Sequence, residues 1–257
     1  MDEQTQAAVA HAAGAAEAHS PLAQFEIHRI LPIQVGDLDL SFTNSSLWMA
    51  IAVLLVYGLV MLGSRRASVV PGRLQALVEM SYEFVADMVG STVGREGRKY
   101  FPFFFTLFMF ILFGNSLGLV PGSFTFTSHI IVTFSMAIFV LTSVTIIGIV
   151  RHGWHFFSLF APRGCPIYVM PLLVPIEILS YLMRPVSLSL RLGINMTAGH
   201  IMLKTFAGFI IALGIFGFAP LALTVALSGL ELAIAFLQAY VFTVLSCIYL
   251  QDTVHLH

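Results

Sequence analysis

Residues 184–200 read Arg-Pro-Val-Ser-Leu-Ser-Leu-Arg-Leu-Gly-Ile-Asn-Met-Thr-Ala-Gly-His. Two arginines (Arg184 and Arg191), one asparagine (Asn195) and one histidine (His200) stand in an otherwise apolar region. A charged side chain at mid-membrane costs at least about 2.5–3.5 kcal/mol, so one found there points to a functional path by default. Arginine is the basic side chain that does not lose its proton. A fixed cation in lipid suits a device that moves protons past one constant charge.

On a helix, Glu177, Arg184 and Arg191 are seven apart and lie within about 40° of one another. Ser180, Ser187 and Asn195 lie on or beside the same stripe. A polar stripe in lipid faces a partner or water. Packing alone would be served by Ser, Thr and Gly, so the two arginines argue against a purely adhesive role. His200 is nine residues past Arg191, about 180° round the helix, and serves a different compartment.

A later apolar run carries Glu231 and Gln238, again seven apart on one face. Folding the two runs antiparallel about Gly214–Pro220 brings Arg191 level with Gln238 and His200 level with Glu231. An imidazole beside a carboxylate can hold and release a proton near neutral pH. Either residue alone would read as a satisfied buried polar group; paired at one depth they read as a relay.

The elements that position these residues follow from composition. The chain has 257 residues, 58% hydrophobic and 10% charged. Such a composition, with repeated long apolar runs, indicates a polytopic helical membrane protein. The net charge of -1 gives no sign of nucleic-acid binding. Cys165 and Cys247 form no metal or disulfide pattern and read as small apolar residues. The 23 phenylalanines read as lipid-facing bulk.

Apolar runs place spans at 47–63, 101–120 and 129–150. Between the first two, 71–100 carries Leu74, Leu77, Val78, Tyr82, Val85 and Val89 at helical spacing, with acids and bases interspersed. It predicts an amphipathic helix at one surface. After Pro162-Arg-Gly-Cys-Pro166 the chain stays apolar, broken only at Gly214–Pro220. Two very long helices are expected, about 171–215 and 220–250. The fold class is therefore all-α and polytopic: three spans, one surface helix and a C-terminal hairpin of two long, strongly tilted helices.

A helix of about 45 residues would measure about 67 Å, against about 30 Å of hydrocarbon. It either breaks into two upright spans or tilts. The apolar stripe continues through the region, which favours tilt, with Pro175 and Pro185 kinking the helix without ending it. Residues 1–45 read as an acidic tail without the features of a signal or transit peptide. Its Phe25–Pro32 patch either lies on the membrane surface or orders against the helices. Residues 46–257 read as one integral membrane domain. Arg65, Arg66, Arg73, Arg95, Arg98, Lys99, Arg151 and Arg163 fall on one side, which makes that side the cytoplasm. The N-terminus is then outside and the C-terminal tail inside.

The motif at 187–200 closely resembles the signature of subunit a of F-type ATP synthases. So do Gly114-Asn-Ser-Leu-Gly-Leu-Val-Pro121 and the run from Glu231 to Leu245. The resemblance covers essentially 47–252. It implies that Arg191 is the family's essential arginine, facing a ring of c subunits, with Asn195 and Gln238 as polar neighbours. It implies that His200 and Glu231 form the outer half-channel pair and that Glu177 is the acid of the inner half-channel. Arg184, from the polar stripe, and Asn115, in the second motif, join the proton-translocating set. Many bacterial members have the acid first and the imidazole second; here the two are exchanged, as in the mitochondrial form.

The function implied is that of a stator subunit passing protons to and from the carboxylates of a rotating c-ring, coupled to ATP synthesis. The implied partners are the c-ring, b-type peripheral stalk subunits, protons and membrane lipids, with no cofactor. The implied location is the bacterial inner membrane rather than a mitochondrial-type one. The chain lacks a Walker loop and is not itself the ATP-forming enzyme. A secondary cation–proton transporter is the alternative. It would carry an internal repeat and paired broken helices, and no repeat is visible. An inert anchor would not need Glu177, Arg184, Arg191, His200 and Glu231 in lipid.

Overall fold

The computed structural model describes residues 27–31, 34–35, 38–39, 41–65, 68–120, 123–154, 156 and 168–254. The acidic segment 1–20, Phe25, Pro32, Arg66, Arg163, Cys165 and His257 lie outside the described residues. Among the described residues six α-helices follow in chain order: α1 Asn44–Ser64, α2 Arg73–Val93, α3 Phe101–Gly118, α4 Ile130–His152, α5 Met170–Leu213 and α6 Phe218–Val254. Five helical stretches are long and apolar enough to cross a membrane, with Arg73–Gly118 counted as one.

Each boundary has a local cause. The Thr43 hydroxyl accepts from the Ser46 backbone N–H and caps α1. Pro102 stands in the first turn of α3, where its missing N–H costs nothing. Gly153 stops α4 at a φ of 56°, and Gly214 stops α5 at 53°. A 3-10 turn, Gly214–Gly217, then reverses the chain into α6. Pro175 and Pro185 stand inside α5, which remains one helix of 44 residues. At 1.5 Å per residue that is about 66 Å.

Four short strands precede α1: β1 Arg29–Leu31, β2 Gln34–Val35, β3 Leu38–Asp39 and β4 Phe42–Thr43. β1 pairs with β4 and β2 with β3, both antiparallel. The reading of 1–45 as a tail missed this hairpin, because two- and three-residue strands leave no periodic signal.

α2 buries only part of the apolar stripe read from the sequence. Val85, Met88, Val89 and Val93 are buried, while Leu74, Leu77 and Tyr82 are exposed. The Phe84 ring lies 5.5 Å from Phe108, 5.7 Å from Phe236 and 5.8 Å from Tyr240, so α2 packs on α3 and α6. The Tyr82 ring sits 4.5 Å from Phe101. The chain therefore folds back through the 3-10 segment Gly94–Tyr100.

The phenylalanines divide between two environments. Phe104, Phe108, Phe126 and Phe242 are wholly buried, which corrects their reading as lipid-facing bulk. Their rings fill the space between helices that Ser and Gly bring close. Cys247 is a buried free thiol in the same core.

Two ends of the bundle can be told apart by contacts. At one end Arg151 of α4 pairs with Glu96 of the 3-10 segment, and Gly148 lies beside Thr253 of α6. At the other end Phe124 and Phe126 pack on Ala52 of α1. The connection after α3 thus folds back into the helices instead of lying over them.

Candidate functional site: a buried imidazole–carboxylate pair and an exposed arginine

The buried side of α5 carries Tyr181, Pro185, Leu188, Ser189, Leu192, Gly193, Met196 and His200. These recur every three or four residues and form the face set against α4 and α6. Ser180, Ser187, Arg191 and Asn195 lie on the exposed side. Their neighbours there are large and apolar, including Leu179, Met183 and Ile194. Arg191 thus stands on an open apolar face. Among the described residues it makes no hydrogen bond or ion pair.

His200 lies against Glu231. Its Nδ1 is 3.4 Å from Glu231 Oε1, and the two residues are 7% and 4% exposed. The close approach needs Gly199: a Cβ there would stand 2.8 Å from Glu231 Oε1. On its other side His200 Nε2 is 3.0 Å from the Thr125 hydroxyl. Thr125 belongs to the connection after α3. It sits on Gly118, where any Cβ would collide with it.

Beside the pair is a cavity of about 290 Å³, lined in part by Asn195, Gly199, Glu231 and Gln238. The rest of its lining, including Met202, Leu227 and Ile234, is apolar. Gln238 is buried and Asn195 exposed. No hydrogen bond joins Gln238 to Arg191 among the described residues, although the register brings them close in level. Asn115 is wholly buried in α3, and its Nδ2 donates to the Ala235 carbonyl at 3.2 Å. It holds α3 to α6 one turn from Glu231.

The stripe of Glu177, Arg184 and Arg191 is not uniform. Arg184 turns to α6, where its Nη1 bonds Asp252 Oδ2 at 2.9 Å. Its guanidinium lies 5.0 Å from the Tyr249 ring centre and 5.5 Å from that of Tyr181. The Tyr181 hydroxyl in turn meets Thr145 Oγ1 at 2.6 Å. The long, flat arginine reaches across the groove and stacks there. Glu177 is partly exposed and has no such partner among the described residues. Asp252, placed by the sequence in a tail, is therefore a member of the site. The register that levels Arg191 with Gln238 sets Arg184 near the level of Ser246, so it does not find Asp252; the reach of the long arginine does.

A family model described as ATP synthase A chain matches residues 46–251. The chain belongs to this family. The protein described as ATP synthase subunit a of Rhodospirillum rubrum is 53% identical over 240 residues, covering 93% of this chain and all of that one. Its namesake in Paramagnetospirillum magneticum is 51% identical over 245 residues, covering 93% and 99%. That of Pelagibacter ubique is 52% identical over 242 residues, with the same coverage. The resemblance carried by the motifs at 114–121, 187–200 and 231–245 thus holds at the level of the ATP synthase A chain family. A member of that family with five membrane-length helical stretches is a multi-pass membrane protein.

Proposed function

We propose that this chain is the stator of a rotary proton channel. It offers two offset aqueous paths to a ring of c subunits that turns against the exposed face of α5. The observation that carries the reading is Arg191, a charge on an apolar face with no counterion among the described residues. Such a charge is tolerated where a partner supplies the opposite sign.

Along α5, His200 and Arg191 are about 13 Å apart, and Arg191 and Glu177 about 21 Å, at 1.5 Å per residue. The arginine thus divides two acid-bearing regions at different depths. A proton from outside passes the cavity lined by Asn195 and Gln238, and the Glu231–His200 pair, to a ring carboxylate. The neutral acid crosses lipid with the turning ring and releases its proton near Glu177. Arg191 holds the carboxylate ionised between release and reloading. At about 4 Å and an effective dielectric of about 20, that attraction is roughly 4 kcal/mol. Each proton moved through about 100 mV supplies about 2.3 kcal/mol.

The same reading makes 46–257 one proton-channel domain and sets the N-terminus outside and the C-terminus in the cytoplasm. It places b-type stalk subunits among the partners. The hairpin of α5 and α6 then lies far from the membrane normal, because about 66 Å of helix exceeds about 30 Å of hydrocarbon. Asn115 serves by holding α3 to α6, and Arg184 by its bond to Asp252. The deciding experiment is ATP-driven proton pumping in inverted vesicles. Arg191→Ala is expected to abolish pumping in a complex that still assembles. Arg191→Lys is expected to fail too, since a Lys point charge lacks the fork and can lose its proton. Near-normal pumping by Arg191→Ala would remove the reading.

A further inference from the structure

We propose that the cavity between α2 and the Gly94–Tyr100 segment binds the headgroup of one phosphatidylethanolamine, with an acyl chain in the groove between α1 and α3. The cavity measures about 700 Å³, and its lining includes Tyr82, Asp87, Gly90, Ser91, Arg98 and Phe101. Small-molecule sites run from about 300 to 1,000 Å³. It lies at the end of the bundle where Arg151 meets Glu96, and no residue of the proton path lines it.

The lining carries one acid and one base. Neither Asp87 nor Arg98 has an ion-pair or hydrogen-bond partner among the described residues. Asp87 and Ser91 are one turn apart on α2, so their oxygens share a face. Ser91 Oγ donates to the Met88 carbonyl at 3.1 Å and keeps lone pairs to accept with. Arg98 comes from the other wall, and a guanidinium takes phosphate oxygens in its fork. A headgroup with one phosphate and one primary ammonium satisfies both charges. Phosphatidylglycerol has the phosphate but would leave Asp87 facing an anion. Phosphatidylcholine has no N–H to give to Asp87 or Ser91.

The rings show what lies behind the headgroup. Tyr82 and Phe101 of the cavity are 4.5 Å apart, and Phe101 stacks on Phe105 at 5.6 Å. Phe105 is also a wall of a second groove, of about 320 Å³, lined mainly by apolar side chains such as Val53, Val56 and Phe110. A polar cavity and an apolar groove joined by one row of rings match the two ends of a phospholipid. Basic pockets and tyrosines at the membrane surface are where headgroups are held. A free anion would use only the first of the two spaces.

The test uses the whole complex in phosphatidylcholine vesicles with a trace of phosphatidylethanolamine that carries a diazirine on its acyl chain. Adducts formed on illumination are mapped by peptide mass spectrometry. Those on Phe105 to Phe110 are expected to be displaced when unlabelled phosphatidylethanolamine replaces part of the phosphatidylcholine. Those at the exposed Ile131 and Ile146 of α4 are not. Phosphatidylglycerol and inorganic phosphate are expected to displace neither. Arg98→Gln and Asp87→Asn should each lower the Phe105–Phe110 adducts about two- to fivefold, the worth of one exposed ion pair. A Cβ added at Gly90 meets nothing within 4 Å, so Gly90→Leu fills the cavity without removing a charge, and should lower them as well. Equal displacement by phosphatidylglycerol, or displacement by inorganic phosphate, would overturn the proposal, since the site would then take any anion. No displacement in the wild type, or unchanged adducts in all three variants, would overturn it too. If a variant assembles poorly, wild-type displacement decides. The proton-channel reading stands on Arg191 and is untouched by either result.

Discussion

At the scale of single residues, what distinguishes this site is that its charges are handled in three ways. Arg184 is neutralised by Asp252. Glu231 is buried against an imidazole. Arg191 is left open on an apolar surface. The first is neutralised within the chain, while both Glu231 carboxyl oxygens are buried without a hydrogen bond among the described residues. His200 and Glu231 are expected to act as a unit. His200→Ala and Glu231→Ala should each slow proton flux, and the double variant should be far from additive in log rate. Exchanging the two residues should restore part of the loss. A fully additive cycle, measured by pumping rates at equal assembly, would show that the two do not share a path. This pairing was legible in the sequence, because helical spacing and one Gly–Pro break fix the antiparallel register. Thr125 was not legible. It is 75 residues from His200 in the chain, and a threonine between two spans carries no signal of its own.

At the scale of elements, runs of apolar residues placed the helices to within a few positions. The expected 171–215 and 220–250 are α5, Met170–Leu213, and α6, Phe218–Val254. Length against bilayer thickness says that a long helix tilts or breaks, and only packing decides which. In α2 the stripe read from the sequence is buried at Val85 and Val89, where the helix meets α3 and α6, while Leu74, Leu77 and Tyr82 stay exposed. What sets the helices in register is a small number of polar contacts, and Asn115 is the clearest. Its bond to the Ala235 carbonyl fixes α3 against α6 within a turn of Glu231. Asn115→Ala is expected to cost about 0.6–1.7 kcal/mol, the range found for interhelical hydrogen bonds in membranes. A lower denaturation midpoint of the purified complex would register it, and no shift would show that the bond does not set the packing.

At the scale of the whole molecule, the hairpin of α5 and α6 presents a long exposed apolar surface. Leu179, Leu230, Leu232 and Leu237 are each more than half exposed. Within it Ser180 and Ser187 run in one line along α5, with Asn195 about 80° to the side. Cysteines at these three positions are expected to cross-link to the outer helices of the c-ring. A cysteine at Ser189, which is 1% exposed on the opposite side, is expected not to. Cross-linking at Ser189 with none at Ser187 would place the rotor on the wrong face.

The bond between Arg184 and Asp252 also bears on how the protein is made. The arginine leaves the ribosome 68 residues before its counterion. Until Asp252 follows, α5 carries Arg184 into the bilayer with its charge not offset, at about 2.5–3.5 kcal/mol near the membrane centre on the insertion scale. The two helices are therefore expected to enter the bilayer together, as a unit closed by the turn at Gly214–Gly217. A chain ended before α6 should leave α5 poorly integrated and open to protease, and full protection of α5 in that truncated chain would show that it inserts alone.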